Sequence, residues 1–183
     1  MDLQAELASL LTADPLRMEA LRAVRALDLP DGWIGAGFVR DAVWDRLHGH
    51  SARPPVGDVD VIWHSRERTG HSYDEILEAR LRASMPGLDW SVRNQARMHP
   101  RNGDRPYRST ADAMTHWPET ATAVAARLDT GGGLEINAPL GLADLFSLRL
   151  RPTAHFAGAR RPTFDLRVTK KRWLERYPAL VLA

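Results

Sequence analysis

Gly35-Ala36-Gly37-Phe38-Val39-Arg40-Asp41 and, further along the chain, Asp58-Val59-Asp60-Val61 are the two stretches on which the reading turns. On a strand, residues two apart face the same way. Asp58 and Asp60 therefore project together while Val59 and Val61 go to the opposite side. Two carboxylates this close repel, and each raises the other's pKa unless a cation neutralises them. A hard divalent ion, Mg2+ with Mn2+ as a substitute, does so and keeps positions for water and phosphate oxygens. Alone, such a pair is more often a polar strand face in water or paired with arginine.

The glycine stretch changes the balance. It follows a predicted strand, Trp33 to Ala36, and opens a predicted helix, Phe38 to Leu47. Gly35 and Gly37 let backbone approach a ligand closely. The free N–H groups and dipole at a helix start favour a phosphate. Arg40, one turn in, is placed to fork onto the same group. The stretch lacks the third glycine and the βαβ context of a dinucleotide fingerprint, and it does not match a P-loop. A glycine turn for a triphosphate followed by a metal-holding strand is the parts list of metal-assisted nucleotidyl transfer.

Around these stretches the chain reads as α+β, a central mixed sheet flanked by helices. Apolar spacing predicts helices at Leu3 to Leu11 and Pro15 to Leu27, the second with Asp14 as its cap. A strand is expected over Asp58 to Trp63, a helix over Ser72 to Met85 and a strand over Trp90 to Met98. Asp129-Thr130-Gly131-Gly132-Gly133 joins Ala121 to Leu128 and Leu134 to Ala138 as a hairpin, with a helix over the first segment as the competing reading. Helices follow at Gly141 to Leu148 and Pro162 to Tyr177. The expected organisation is one unit: an N-terminal helical segment at 1–28, a core at 33–148 and a C-terminal helical segment at 149–183.

Composition narrows the classes. The 183 residues are 44% hydrophobic and 26% charged, which suits a globular domain with a core of its own. No run of about 18 apolar residues exists, so no membrane span is expected. There is no cysteine, which excludes disulfides and thiolate chemistry and fits a cytoplasmic setting. The net charge is only +2, which argues mildly against strong nucleic-acid binding. Positive charge nonetheless gathers from Arg149 to Arg172, where six arginines and both lysines, Lys170 and Lys171, stand against Asp165.

These residues carry a resemblance. Ala36-Gly37-Phe38-Val39-Arg40-Asp41 followed by Asp58-Val59-Asp60 resembles the signature of nucleotidyltransferases of the DNA-polymerase-β type, particularly the tRNA CCA-adding branch. More closely, the chain is similar to a largely uncharacterised bacterial nucleotidyltransferase-like family over about residues 33 to 178. Trp90-Ser91-Val92-Arg93-Asn94-Gln95-Ala96-Arg97-Met98-His99 and Lys171-Arg172-Trp173 match it, among other segments. The resemblance implies a polymerase-β-type fold, Asp58 and Asp60 as catalytic metal ligands, and Gly37 and Arg40 at the phosphates. Three features depart from the signature: Ala36 replaces its first glycine, His48 to Gly57 lengthens the gap before Asp58, and the usual third carboxylate has no evident place. Asp89 and Glu135 are its candidates by location.

Asn94 and Arg97 are read as sugar or phosphate contacts; hydrogen bonding at the sheet edge and loop is the ordinary alternative. The expected partner is a nucleoside triphosphate. The acceptor is unidentified, with a small molecule or protein favoured over nucleic acid because the chain is short for a template-handling polymerase. A catalytically degenerate nucleotide- or RNA-binding module, or a phosphohydrolase using the same two acids, stand as alternatives.

Overall fold

The computed structural model describes residues 2–183; Met1, the first residue of the expected N-terminal segment, lies outside the described residues. Helix α1 (Leu3–Thr12) starts on the Asp2 carboxylate, which accepts from the Gln4 N–H at 3.0 Å. Helix α2 (Pro15–Arg25) starts on Asp14, as read from its sequence, with Pro15 in the first turn. Both caps satisfy N–H groups that a helix start leaves unpaired. Strand β1 (Trp33–Gly35) then leads into α3 (Gly37–Leu47). After the loop come β2 (Asp58–Trp63), α4 (His71–Ser84) and β3 (Asp89–Asn94).

Two short helices, α5 (His99–Asn102) and α6 (Thr110–Met114), precede the hairpin of β4 (Ala125–Leu128) and β5 (Leu134–Asn137). The chain finishes with α7 (Ala143–Phe146), β6 (Arg149–Leu150), α8 (Arg161–Lys171), α9 (Trp173–Arg176) and β7 (Val181–Leu182). The main sheet has the order β3-β2-β1-β4-β5, and β6 pairs with β7. Only β2 and β3 run parallel within the main sheet, joined across by α4; its other pairs are antiparallel. Among the described residues no helix is long and apolar enough to cross a membrane.

Alternation assigns the two sheet faces. Ile34, Val59, Val61, Trp63, Trp90, Val92 and Ala126 are buried in the main core with Leu21, Val24, Val39, Val43, Leu81 and Phe164. The opposite face carries Asp58 and Asp60. It is roofed in part by α6 and the segment after it, where Trp33, Ile62, Met114, Ala123 and Ala125 form a second small core with Trp117 packed against it.

Four expectations are corrected. The strand expected over Trp90 to Met98 ends at Asn94, whose side chain accepts from the Ala96 N–H and starts a 3-10 turn over Gln95–Arg97. The helix expected over Pro162 to Tyr177 breaks at Arg172, which adopts φ 51° and ψ 36°. That over Gly141 to Leu148 contracts to α7. The hairpin is present, but its first strand starts only at Ala125, after a 3-10 turn over Thr120–Thr122. Helices α5 and α6 carry no periodic signal, being too short to repeat one.

Candidate active site

Register brings the two predicted motifs side by side. In the antiparallel pairing of β1 and β2, Gly35 stands opposite Asp60. In the parallel pairing of β2 and β3, Asp89 stands level with Asp58 and Ser91 with Asp60. Gly35 is required here by packing. A Cβ on it would lie 3.2 Å from the Trp117 ring and 3.3 Å from the Val124 carbonyl oxygen. The chain then reverses at Ala36, with φ 54° and ψ −126°. Those angles belong to the first central residue of a type II′ turn, a glycine position. Helix α3 follows at once with no side-chain cap; the Val39 and Arg40 N–H groups bond the Ala36 carbonyl, and Ala36 lines the same cleft as Asp60.

Arg40, expected at the phosphates, is buried and bonded inward. Its Nε and Nη2 donate to Asp41 Oδ1 at 2.9 and 2.7 Å, and Nη1 donates to Thr122 Oγ1 at 3.0 Å. The guanidinium lies 4.9 Å from the Trp44 ring centroid and 4.5 Å from that of Trp173. Such stacking contributes most where water is excluded. A Cβ on Gly37 would come 3.3 Å from Arg40 Nη2, so the arginine forms the floor of the turn. Asp41 binds Arg176 as well.

Asp60 sits in a cleft of about 220 Å3 lined by Ala36, Ile62, Arg93, Trp117, Thr122 and Arg167, among others. Burial, then the charge of Asp58, pushes its carboxyl up to about 6, while Arg167, Lys171 and Arg40 pull the other way. Arg167 is held by Glu119, which is fully buried, with Nε 2.7 Å from Oε1. The sequence shows the basic run that contains Arg167 and Lys171. It does not show which of those cations α8 turns toward the acids.

Residues 22–182 match the model of a family described as nucleotidyltransferase. The chain belongs to that nucleotidyltransferase family. Among solved structures it is similar to an NMR structure described as a CCA-adding enzyme head domain, at 32% identity and a TM-score of 0.85, covering 98% of this chain and 95% of that one. A CCA-adding enzyme in complex with CTP is 17% identical with a TM-score of 0.63. The Thermotoga maritima CCA-adding enzyme complexed with tRNA is 18% identical with a TM-score of 0.60. Each of these two likenesses covers 97% of this chain but only 43% and 42% of the larger one, and shows the fold alone. No curated protein matches the chain. The fold is thus the polymerase-β-type nucleotidyltransferase fold that the sequence resemblance implied.

Asn94 and Arg97, expected at the nucleotide, are both bonded within the fold. Asn94 is fully buried, and its Nδ2 donates to the carbonyls of Ser65 and Arg68, both at 2.8 Å. Arg97 pairs with Asp74, which also accepts from Trp63 Nε1 at 2.8 Å and from the Asn94 N–H at 3.0 Å. The two residues tie the end of β3 to α4 and to the loop after β2.

The candidates for a third carboxylate separate on register. Glu135 lies on β5, three strands from β2, and is paired with Arg127. Asp89 is on the adjacent strand, level with Asp58. Among the described residues no group of three or more His, Asp or Glu side chains stands ready to hold a metal ion. The donor set fits Mg2+ all the same, because Mg2+ is usually held by one or two carboxylates with water and substrate phosphates, not by an all-protein cage. Asp58 and Asp60 would be those two.

Proposed function

We propose that this nucleotidyltransferase binds a nucleoside triphosphate in the cleft beside Asp60 and transfers its nucleoside monophosphate to an acceptor. The observation that carries the reading is the meeting of Asp60, the uncapped start of α3 and Arg167 in one cleft. Gly35 and Gly37 keep the turn free of side chains, and the α3 N–H groups receive phosphate oxygens. Arg167 and Lys171 add positive charge from α8. Arg40 supports the turn from below.

Asp58 and Asp60 hold Mg2+ or Mn2+, which when bound neutralises phosphate charge and polarises the α-phosphorus. The acceptor oxygen bonds to that phosphorus, the bond to the bridging oxygen breaks, and pyrophosphate leaves with that oxygen's electrons. The acceptor proton passes to a carboxylate on the same face. Asp89 serves here, since it lies level with Asp58 and forms no ion pair among the described residues. The acceptor is left open. The expectation against nucleic acid gains no support from relatives that include an enzyme complexed with tRNA.

The test supplies each α-labelled NTP with Mg2+ and follows pyrophosphate release in the presence of candidate acceptors, tRNA included. Turnover abolished by Asp60→Ala is the expected result; turnover unchanged by it overturns the mechanism. Binding without turnover would establish the binding-only module.

A further inference from the structure

The cleft that holds Asp60 is also walled by Ile62, Met98, Trp117 and Pro118, and Arg93, Gln95 and Asn102 bring polar edges to it. The walls are apolar and partly aromatic, and the edges offer amide and guanidinium groups. Asn102 Nδ2 donates to Tyr107 Oη at 3.0 Å and Gln95 Nε2 to the Arg93 carbonyl at 3.1 Å. Both amide oxygens stay available as acceptors, and Arg93 has donors beyond the Nη1 that binds Glu78. Trp117 is held in place by Gly35, whose missing side chain leaves room for the ring.

Size decides what fits. At about 220 Å3 the space is smaller than the roughly 300–1,000 Å3 of pockets for drug-sized ligands. It encloses one planar ring system and not a whole nucleoside triphosphate, so the polyphosphate runs out of it along its Asp60 and Ala36 side, toward the start of α3. An apolar slot with a tryptophan wall and hydrogen-bonding edges suits a heteroaromatic ring, because stacking needs only a π face while the edges sort donors from acceptors.

We infer that this roofed slot is a nucleobase subsite, with Trp117 and Met98 against the ring and Asn102, Gln95 and Arg93 at its edge. The inference rests on the proposed function and adds that selection among bases is made by residues 93–118. The base is that of the incoming NTP, whose phosphates lie at the mouth of the same cleft.

Trp117 also provides the readout. The other five tryptophans are buried, so Trp117 is the partly exposed one. The full-length protein with Mg2+ is titrated with each of four nonhydrolysable NTPs and with tripolyphosphate, following tryptophan emission and calorimetric affinity. Expected are quenching by NTPs but not by tripolyphosphate, loss of quenching in Trp117→Phe, and affinity for the preferred NTP about fivefold or more weaker in Met98→Ala and Asn102→Ala. Tripolyphosphate affinity should be unchanged in all three variants. Equal weakening of both ligands, or quenching that persists in Trp117→Phe, overturns the subsite while leaving the phosphate site intact. Further quenching by a nucleoside monophosphate added to the NTP-saturated protein would assign the slot to the acceptor and overturn it too. Failure of both NTP and tripolyphosphate to bind removes the proposed function along with it.

Discussion

Gly35 faces Asp60 across the β1–β2 pair while its Cα side supports the Trp117 ring. One residue without a side chain thus sets the spacing between the carboxylate strand and the roof above it. Gly35→Ala would force a methyl to 3.2 Å from the ring and 3.3 Å from a backbone oxygen that cannot move away. Overpacking of this kind costs about 1–3 kcal/mol. Urea unfolding should show that loss, and Trp117 emission should shift because the ring is displaced.

Ala36 should gain from becoming glycine. Its φ of 54° with ψ −126° is strained for any residue with a Cβ. Relief of strain outweighs the extra chain entropy of glycine, so Ala36→Gly is expected to stabilise by about 1 kcal/mol, or roughly 2–4 °C in Tm for a chain of this size. A lower Tm in calorimetry would show that the turn is not strained as its angles indicate.

Asp60 makes stability depend on pH in the metal-free protein. Its folded pKa of about 6 lies above the ordinary 3.8. The neutral form is therefore favoured by folding, and the contribution is present below the unfolded pKa and lost as pH rises through about 6. The loss is of the order of 2–3 kcal/mol. Asp60→Asn removes it. With chelator present, the variant should match the parent near about pH 4 and exceed it near about pH 8 in unfolding experiments. A difference between the two proteins that does not change with pH would contradict this account.

Lys171 and Arg97 separate phosphate binding from scaffolding. Lys171 is exposed and makes no ion pair among the described residues. Lys171→Ala should leave Tm unchanged and weaken NTP affinity about tenfold, the value of one charge-assisted contact. Arg97→Ala should do the reverse. It strips the fully buried Asp74 of its cation, at a cost of about 3 kcal/mol, while the folded protein keeps its nucleotide affinity. A calorimetric titration beside a thermal melt decides each case.

The sequence showed the carboxylate pair because alternation on a strand is a local property, and Asp58 and Asp60 do share a face. It also showed that Gly35 is a special position, though the reason is a tryptophan ring contributed from 82 residues away. For Asn94 and Arg97 the sequence is ambiguous, because polar residues in a family-specific string look the same whether they bind a substrate or brace a loop. Their partners, Ser65, Arg68 and Asp74, are known only once α4 has packed on β3. Arg167 and Lys171 were visible as charge but not as neighbours of Asp60, since their direction depends on how α8 docks. The roof leaves no signal in the sequence, because α5 and α6 are single turns whose apolar residues, such as Met114, form no repeat.

Arg40 lies between a ring from α3 and a ring from α9, so the glycine turn and the last helix share one buried cation as their common rivet. The short glycine-and-arginine signature near the start of the fold is therefore incomplete by itself. A protease cut in the connection before α8 that released the terminal fragment would take away Trp173, Arg176 and Arg167 together. The turn would lose its floor and Asp60 its countercharge in a single event, with every residue of the signature still covalently in place.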